Sequence, residues 1–362
     1  MQIVADRRAL HQIPELGRDL PETMEYLSQA LGGLKCQVFS PMAGALCAFF
    51  DFGADRAIAF RSDADALPIP ERNTHAFVSR HPGKMHACGH DGHMAMALEL
   101  ARRLDRKEGL NRNVLIVFQP AEETTGGAKD LCETGVFRQY HVEAIFGMHL
   151  WPGLEAGHVA SRRNEMMSRS SELTVDITGR SAHIAKASEG LDAMAAGIQF
   201  YQKVMALEGA LPAQIFRLLK FGKMESGSVR NAISSRTHME GSLRAFQDEV
   251  FFRLREGILQ AGKEVEAATG CTVRIHMSDG YPAVINPPEL YDKVKQFVSF
   301  EELDAPSMIT EDFSWYQWEI PGLFFFLGTG DTPALHADNF DFDETVLLNG
   351  ADFFEQLAEN YQ

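Results

Sequence analysis

Four short, almost unbroken apolar runs set the fold class of this chain: AIAFR at 57–61, VLIVF at 114–118, AIFGMHL at 144–150 and LFFFL at 323–327. A strand covered on one face only alternates apolar with polar residues. A continuous apolar run of strand length needs cover on both faces. Amphipathic helical stretches lie between the runs, for example at 93–104 and 128–133. Buried strands separated by helices predict an α/β domain with a mostly parallel sheet flanked by helices.

The middle of the chain changes pattern. ELTVDIT at 172–178 alternates like a half-exposed strand, 191–207 is helical, and 215–224 and 237–244 alternate again. A long amphipathic helix at 249–269 and one more alternating run at 272–276 follow. Strand, helix, two strands, helix, strand is the order of a ferredoxin-like α+β unit. The expected organisation is therefore an α/β domain at 1–167 and 279–362, interrupted by an inserted α+β domain at 168–278.

The whole-chain figures narrow the function classes. With 362 residues, 45% apolar and 23% charged, the chain has ample material for a folded core. A formal net charge of −16 repels nucleic-acid phosphates and anionic membranes, so neither is an expected partner. Five widely spaced cysteines suggest no disulfide scaffold. Without a signal-like N-terminus or a membrane-length apolar run, the expected location is the cytoplasm.

Residues of metal-site type recur beside the apolar runs. MHACGHD carries Cys88 and His90 around a glycine that lets the backbone turn both toward one point. QPAEE places Glu122 and Glu123 just after the 114–118 strand, on the side where open α/β sheets bind ligands. Adjacent carboxylates there are costly unless a cation neutralises one, which suits one metal ligand beside one general base. His149 in GMHLWP, His336 in ALHADNF, and Asp63 with Asp65 in RSDADALP complete the set. Singly, each has an ordinary explanation: a small core cysteine, a solvated acidic loop, a structural histidine, a turn aspartate. Together, five strand ends deliver such residues to what can be one rim of one sheet, and the donors are too many for one tetrahedral ion. Two divalent ions with a water nucleophile would use them.

These motifs, with RRALHQIPELG at 7–17, closely resemble the metal-dependent amidohydrolase family of hippurate hydrolase, auxin-conjugate hydrolases and N-acetyldiaminopimelate deacetylase. The resemblance runs from about Arg8 to the C-terminus. It implies a catalytic α/β domain with an inserted lid through which two chains form a homodimer. It implies metal ligation by Cys88, His90, Glu123, His149 and His336, by two ions per chain (zinc or manganese, with nickel or cobalt as alternatives). Glu122 corresponds to the general base, with Asp65 grouped among the catalytic residues. His183 in GRSAHIA resembles a residue that reaches the partner subunit's site and stabilises an oxyanion. Asn231 and Arg244 resemble residues that hold the substrate carboxylate. Where relatives carry Gly-Gly before the lid histidine, this chain has Ser181-Ala182, so substrate preference does not carry over. The expected activity is hydrolysis of N-acyl amino acids, as in deacetylases and aminoacylases. A dipeptidase or carboxypeptidase on the same site is the nearest rival. A non-enzymatic metal-binding protein is the other alternative, which the presence of Glu122 disfavours.

Overall fold

The computed structural model describes residues 1–362 and separates into two compact units. The first comprises Met1–Met166, Ile285–Pro306 and Asp312–Gln362; the second comprises Met167–Val284 with Ser307–Glu311.

An eight-stranded sheet organises the first unit. Its order is Gln37–Phe39, Leu46–Phe50, Asn113–Gln119, Ala57–Asp63, Val142–Pro152, Gly322–Gly330, Val159–Ser161 and Glu301–Glu302. The central four strands are parallel to one another, and antiparallel pairs occur only toward the edges. Those four contain the apolar runs, and both faces are covered. Ile58, Phe60, Ile116, Phe118, Phe146 and Phe325 join the core shared with the helices Gln2–His11, His90–Leu104 and Val346–Asn360. The alternate residues Ala59, Leu115, Val117, Ile145 and Phe324 are equally buried, and Phe324 meets the Phe313 ring at 5.0 Å. Two-sided burial is thus the reason these strands read as continuous apolar runs.

The second unit is a four-stranded antiparallel sheet in the order Thr272–Met277, Arg169–Thr178, Arg236–Ala245, Arg217–Ser226. The helices Ala193–Gly209 and Asp248–Thr269 complete a ferredoxin-like arrangement. Alternation along Arg169–Thr178 sends Leu173, Val175 and Ile177 into a core with Phe200, Met239 and Phe251, and leaves the other face polar. The edge strand Arg217–Ser226 has one unpaired side. On Ala193–Gly209, Met194, Ile198 and Tyr201 form an exposed apolar stripe at helical spacing. No helix is long and apolar enough to cross a membrane.

Candidate metal centre

Five elements of the first unit converge on one cluster. Gly89, at φ +85°, turns the chain so that Cys88 precedes, and His90 begins, the helix His90–Leu104. A Cβ at Gly89 would also come within 2.9 Å of Leu150, so glycine is required twice over. Cys88 Sγ lies 3.4 Å from His149 Nε2. His90 Nε2 is 3.9 Å from Glu123 Oε1, and His336 Nε2 is 3.2 Å from that same oxygen. Cys88, His90 and His149 thus form one set of mutually close donors, and Cys88, Glu123 and His336 form another. Glu122 joins His90 and Glu123 in a third. All five residues matched to metal ligands, and the one matched to a general base, are brought together.

Three expected positions need correction or adjustment. His149 does not end its strand: Val142–Pro152 continues three residues past it, pairing through Pro152 with Gly330. Cys88 and His90 belong to a turn and a helix start, not to a strand end. Asp63 is at a strand end as expected, but the strand that starts at Ala57 runs past its apolar stretch and includes Asp63 as its last residue. The convergence therefore uses strand ends, a strand interior, a helix start and the long loop that carries His336. His336 itself adopts φ +66° and donates its backbone N–H to Ala87 O at 2.8 Å, which anchors that loop beside Cys88.

The surrounding hydrogen bonds prepare the histidines as donors of a lone pair. His90 Nδ1 lies 2.7 Å from Asp65 O, and His149 Nδ1 lies 2.7 Å from Leu150 O. A carbonyl only accepts, so each Nδ1 carries the proton and each Nε2 presents its lone pair to the cluster. Such orientation of an imidazole by its other nitrogen is common around metal ligands. His90 Nε2 has no hydrogen-bond partner although fully buried, and neither has Glu123 Oε1, whose approach to His336 lacks hydrogen-bond geometry. Burial, aided by the neighbouring His93, lowers His149 to about 3, and burial lowers His90 as well. Both rings are therefore neutral near pH 7. Burial, with the charges of Glu123 and Glu122, pushes the Cys88 thiol well up. Buried carboxylates beside neutral imidazoles and a thiol leave negative charge that a divalent cation offsets. The donor set of sulfur, nitrogen and oxygen therefore fits such an ion.

Asp65 has a distinct place. Its Oδ1 accepts the Glu122 N–H at 2.9 Å and its Oδ2 the Glu123 N–H at 3.2 Å. One carboxylate thus holds both glutamates where the chain leaves the strand Asn113–Gln119, through Ala121 at φ +61°. Burial and the Glu123 charge raise the Asp65 carboxyl well above its usual range, against the two N–H contacts.

Two participants have no role given to them by the sequence: Asp63, which is named without one, and His93, which is not named. Asp63 Oδ1 accepts from His93 Nδ1 at 2.6 Å, while His93 Nε2 accepts the Leu150 N–H at 2.9 Å. His93 is thereby fully engaged and braces the His149 strand instead of offering a lone pair. Asp63 Oδ2 lies 3.7 Å from His90 Nε2 and 2.6 Å from Arg61. A usable signal existed: His90 and His93 are three apart on one helix and so share a face.

The remaining expected residues lie in the second unit. His183 is exposed, and its Nδ1 accepts the Ala185 N–H at 3.2 Å at the start of a short 3-10 turn. Asn231 is exposed, and its carbonyl accepts the Ile184 N–H at 3.0 Å, which ties it to the His183 loop. Arg244, half-buried on Arg236–Ala245, donates to Met308 O at 2.6 Å.

The chain is similar to known proteins along almost its whole length. A hydrolase of Staphylococcus haemolyticus described as uncharacterized is 32% identical over 99% of this chain and 98% of its own length. The YXEP protein of Bacillus subtilis, described as a dinuclear metal binding peptidase from the M20 family, superposes with a TM-score of 0.84. It is 28% identical over 99% of this chain and 96% of its own. An aminobenzoyl-glutamate utilization protein from Klebsiella pneumoniae shares the fold at a TM-score of 0.67 and 19% identity, covering 99% of this chain and 95% of that one. The model of Peptidase family M20/M25/M40 matches residues 59–360, and the chain is a hydrolase of that metal-dependent peptidase and amidohydrolase family.

Proposed function

We propose that this hydrolase cleaves the amide bond of N-acyl amino acids, with Cys88, His90, Glu123, His149 and His336 holding two divalent ions. The observation that carries the reading is the pair of buried imidazoles, His90 and His149, whose Nε2 lone pairs face Cys88 and Glu123 with Glu122 alongside. Cys88 is common to the His90–His149 set and the Glu123–His336 set, so both groups of donors that would hold the ions lie around one thiol. When bound, such ions supply Lewis acidity toward a carbonyl oxygen and make water more acidic.

The chain's own residues do the rest. Glu122 takes the proton of the attacking water and delivers it to the departing amine nitrogen. Asp65 fixes the peptide N–H groups of Glu122 and Glu123, so the base and the ligand keep their spacing. His183 donates to the oxyanion, while Asn231 and the Arg244 fork bind the substrate carboxylate. The inserted unit acts as lid and dimerisation element. Its unpaired edge strand and the stripe of Met194, Ile198 and Tyr201 form a self-complementary surface, so that His183 serves the partner's site.

The test is a panel of N-acetyl, N-benzoyl and N-succinyl amino acids and free dipeptides, assayed with zinc, manganese, nickel and cobalt, with metal content measured alongside. N-acyl amino acids are expected to be hydrolysed with about two ions bound. Turnover of dipeptides alone, or full activity with no metal after chelation, would overturn the reading.

A further inference from the structure

A second group of donors lies in the first unit and shares no residue with the first cluster. His11 ends the helix Gln2–His11, and Glu71 and His75 belong to the segment between Asp65 and Cys88. His11 Nε2 is 3.0 Å from Glu71 Oε1, and His75 Nε2 is 3.4 Å from the same oxygen. One donor atom from each of the three residues lies within 4.8 Å of the others. Ligands about 2.0–2.2 Å from a tetrahedral ion stand about 3.4 Å apart. The His75–Glu71 separation equals that edge length, and the His11–Glu71 separation, at 3.0 Å, is somewhat shorter.

Each donor is oriented from behind. His11 Nδ1 is 2.8 Å from Asp91 Oδ2, a carboxylate held in turn by Arg7 at 2.9 Å. This is the carboxylate–histidine pairing that commonly backs a metal-bound imidazole. Glu71 Oε2 accepts the Ser79 N–H at 2.6 Å, and Asn73 donates to Oε1 at 3.1 Å. Phe77 stacks flat on the His75 ring at 3.7 Å and fixes its plane. Yet both nitrogens of His75 are shielded from solvent and neither has a hydrogen-bond partner. Without a cation, Asp91 and Glu71 account for His11, one at each ring nitrogen; a cation would replace the Nε2 proton between His11 and Glu71. No protein group hydrogen-bonds either nitrogen of His75, which stacks on Phe77 and faces Glu71 at 3.4 Å.

We infer that His11, Glu71 and His75 form a second cation site, which takes a divalent transition metal of zinc type with water in the remaining position. His-His-carboxylate is an established ligand set for zinc. The site has a structural task. Residues 68–89 contain no helix or strand, although Cys88 lies at their end. Irregular segments of that length call for an anchor or a function. An ion shared by His11, Glu71 and His75 ties the segment to the first helix, upstream of the catalytic donors.

The experiment titrates the metal-stripped full-length protein with Co²⁺, read by absorption, and with Zn²⁺, read by calorimetry. Three variants are compared: His75→Phe, which keeps the ring stacking, Glu71→Gln, and Cys88→Ser. The wild type should bind one equivalent more than His75→Phe, and that equivalent should lack thiolate-to-cobalt charge transfer. Cys88→Ser should lose the charge-transfer band and retain the extra equivalent. Glu71→Gln should weaken the extra equivalent at least about tenfold. Limited trypsin digestion at the exposed Arg72 and Arg80 should slow on zinc addition in the wild type and not in His75→Phe. Equal stoichiometry in wild type and His75→Phe, with no zinc-dependent difference in proteolysis, overturns the proposal. Loss of the charge-transfer band in the wild type instead counts against Cys88 as a ligand and leaves the second site standing.

Discussion

Replacing Asp65 by asparagine tests the idea that one buried carboxylate sets the spacing of the two glutamates. The wild-type side chain accepts the Glu122 and Glu123 N–H groups at 2.9 and 3.2 Å, and its backbone carbonyl accepts from His90. Asparagine preserves the volume and the backbone contact. It turns one charge-assisted hydrogen bond into a neutral one, a loss of about 1 kcal/mol, and it sets an amide NH₂ against a backbone N–H, which costs about 1–3 kcal/mol. Against this sum of about 2–4 kcal/mol stands the relief of repulsion between Asp65 and Glu123, the repulsion that with burial raises the Asp65 carboxyl. The lower figure therefore wins, at about 2 kcal/mol. If that energy appears as displacement of Glu122 and Glu123, kcat/KM falls about thirtyfold, since about 1.4 kcal/mol is a factor of ten. The assay is kcat/KM on the best substrate of the panel at saturating metal, with metal affinity measured by chelator competition. A folded Asp65→Asn protein with kcat/KM within twofold of wild type and unchanged metal affinity would refute the reasoning.

Glu122→Gln should lower kcat by about 10²–10⁴ while metal content stays at the wild-type level, and near-normal turnover would assign the base elsewhere. His183→Ala should lose about 10²–10³ in kcat with normal metal binding; mixing it with Glu122→Gln under subunit exchange should restore part of the activity, and no recovery would remove the cross-subunit role. In metal-free protein, burial opposes a proton on His11, but Asp91 and the hydrogen bonds to Asp91 and Glu71 outweigh it and raise its pKa to about 9. The folded value lies above the unfolded one, about 6.5, so the stabilisation, about 3 kcal/mol, is fully present below about pH 6.5 and is lost as pH rises through about 9. Urea midpoints at pH 6 and pH 9.5 should show that drop, and in His11→Gln the pH dependence should shrink; equal slopes in both proteins would discard the assignment.

The layout of both units was legible because burial leaves a direct trace in residue type. VLIVF at 114–118 is apolar throughout because both faces of that strand are covered, and ELTVDIT at 172–178 alternates because one face is not. Boundaries were less legible where hydrogen bonding decides them. Arg61, Ser62 and Asp63 look like a polar exit from a strand, yet the ladder with Val117, Phe118 and Gln119 runs through all three. Their polarity is satisfied inside, Arg61 by Gln119 and Asp312, Asp63 by Arg61 and His93. The segment Ser307–Glu311 carries no pattern that marks it as part of the second unit. Its membership comes from contacts with distant chain, such as Ser168 N–H to Ile309 O at 3.0 Å.

The same division explains what could be read of the site. Donor types such as Cys88, His90 and Glu123 announce themselves, because few residues offer sulfur, nitrogen or carboxylate ligands and these sit in short, distinctive motifs. The groups that make them usable do not. His90 presents Nε2 because Asp65 O takes its Nδ1–H, and His149 does the same through Leu150 O, so two backbone carbonyls with no residue identity choose the reactive nitrogen. His93 carries the residue type of a ligand but is spent between Asp63 and Leu150. His75 looks like any loop histidine, yet neither of its shielded nitrogens has a partner, a property it shares with the fully buried His86 but combines with a carboxylate 3.4 Å away. Residue type therefore nominates histidines, and their hydrogen bonds sort them: a ring whose two nitrogens are spent on a carboxylate and a backbone N–H, as in His93, is structural, and a ring with a bare nitrogen facing a carboxylate is a candidate ligand. His90 meets that criterion in the first cluster and His75 in the second, which is why one cobalt titration, read with and without the thiolate band, examines both assignments independently.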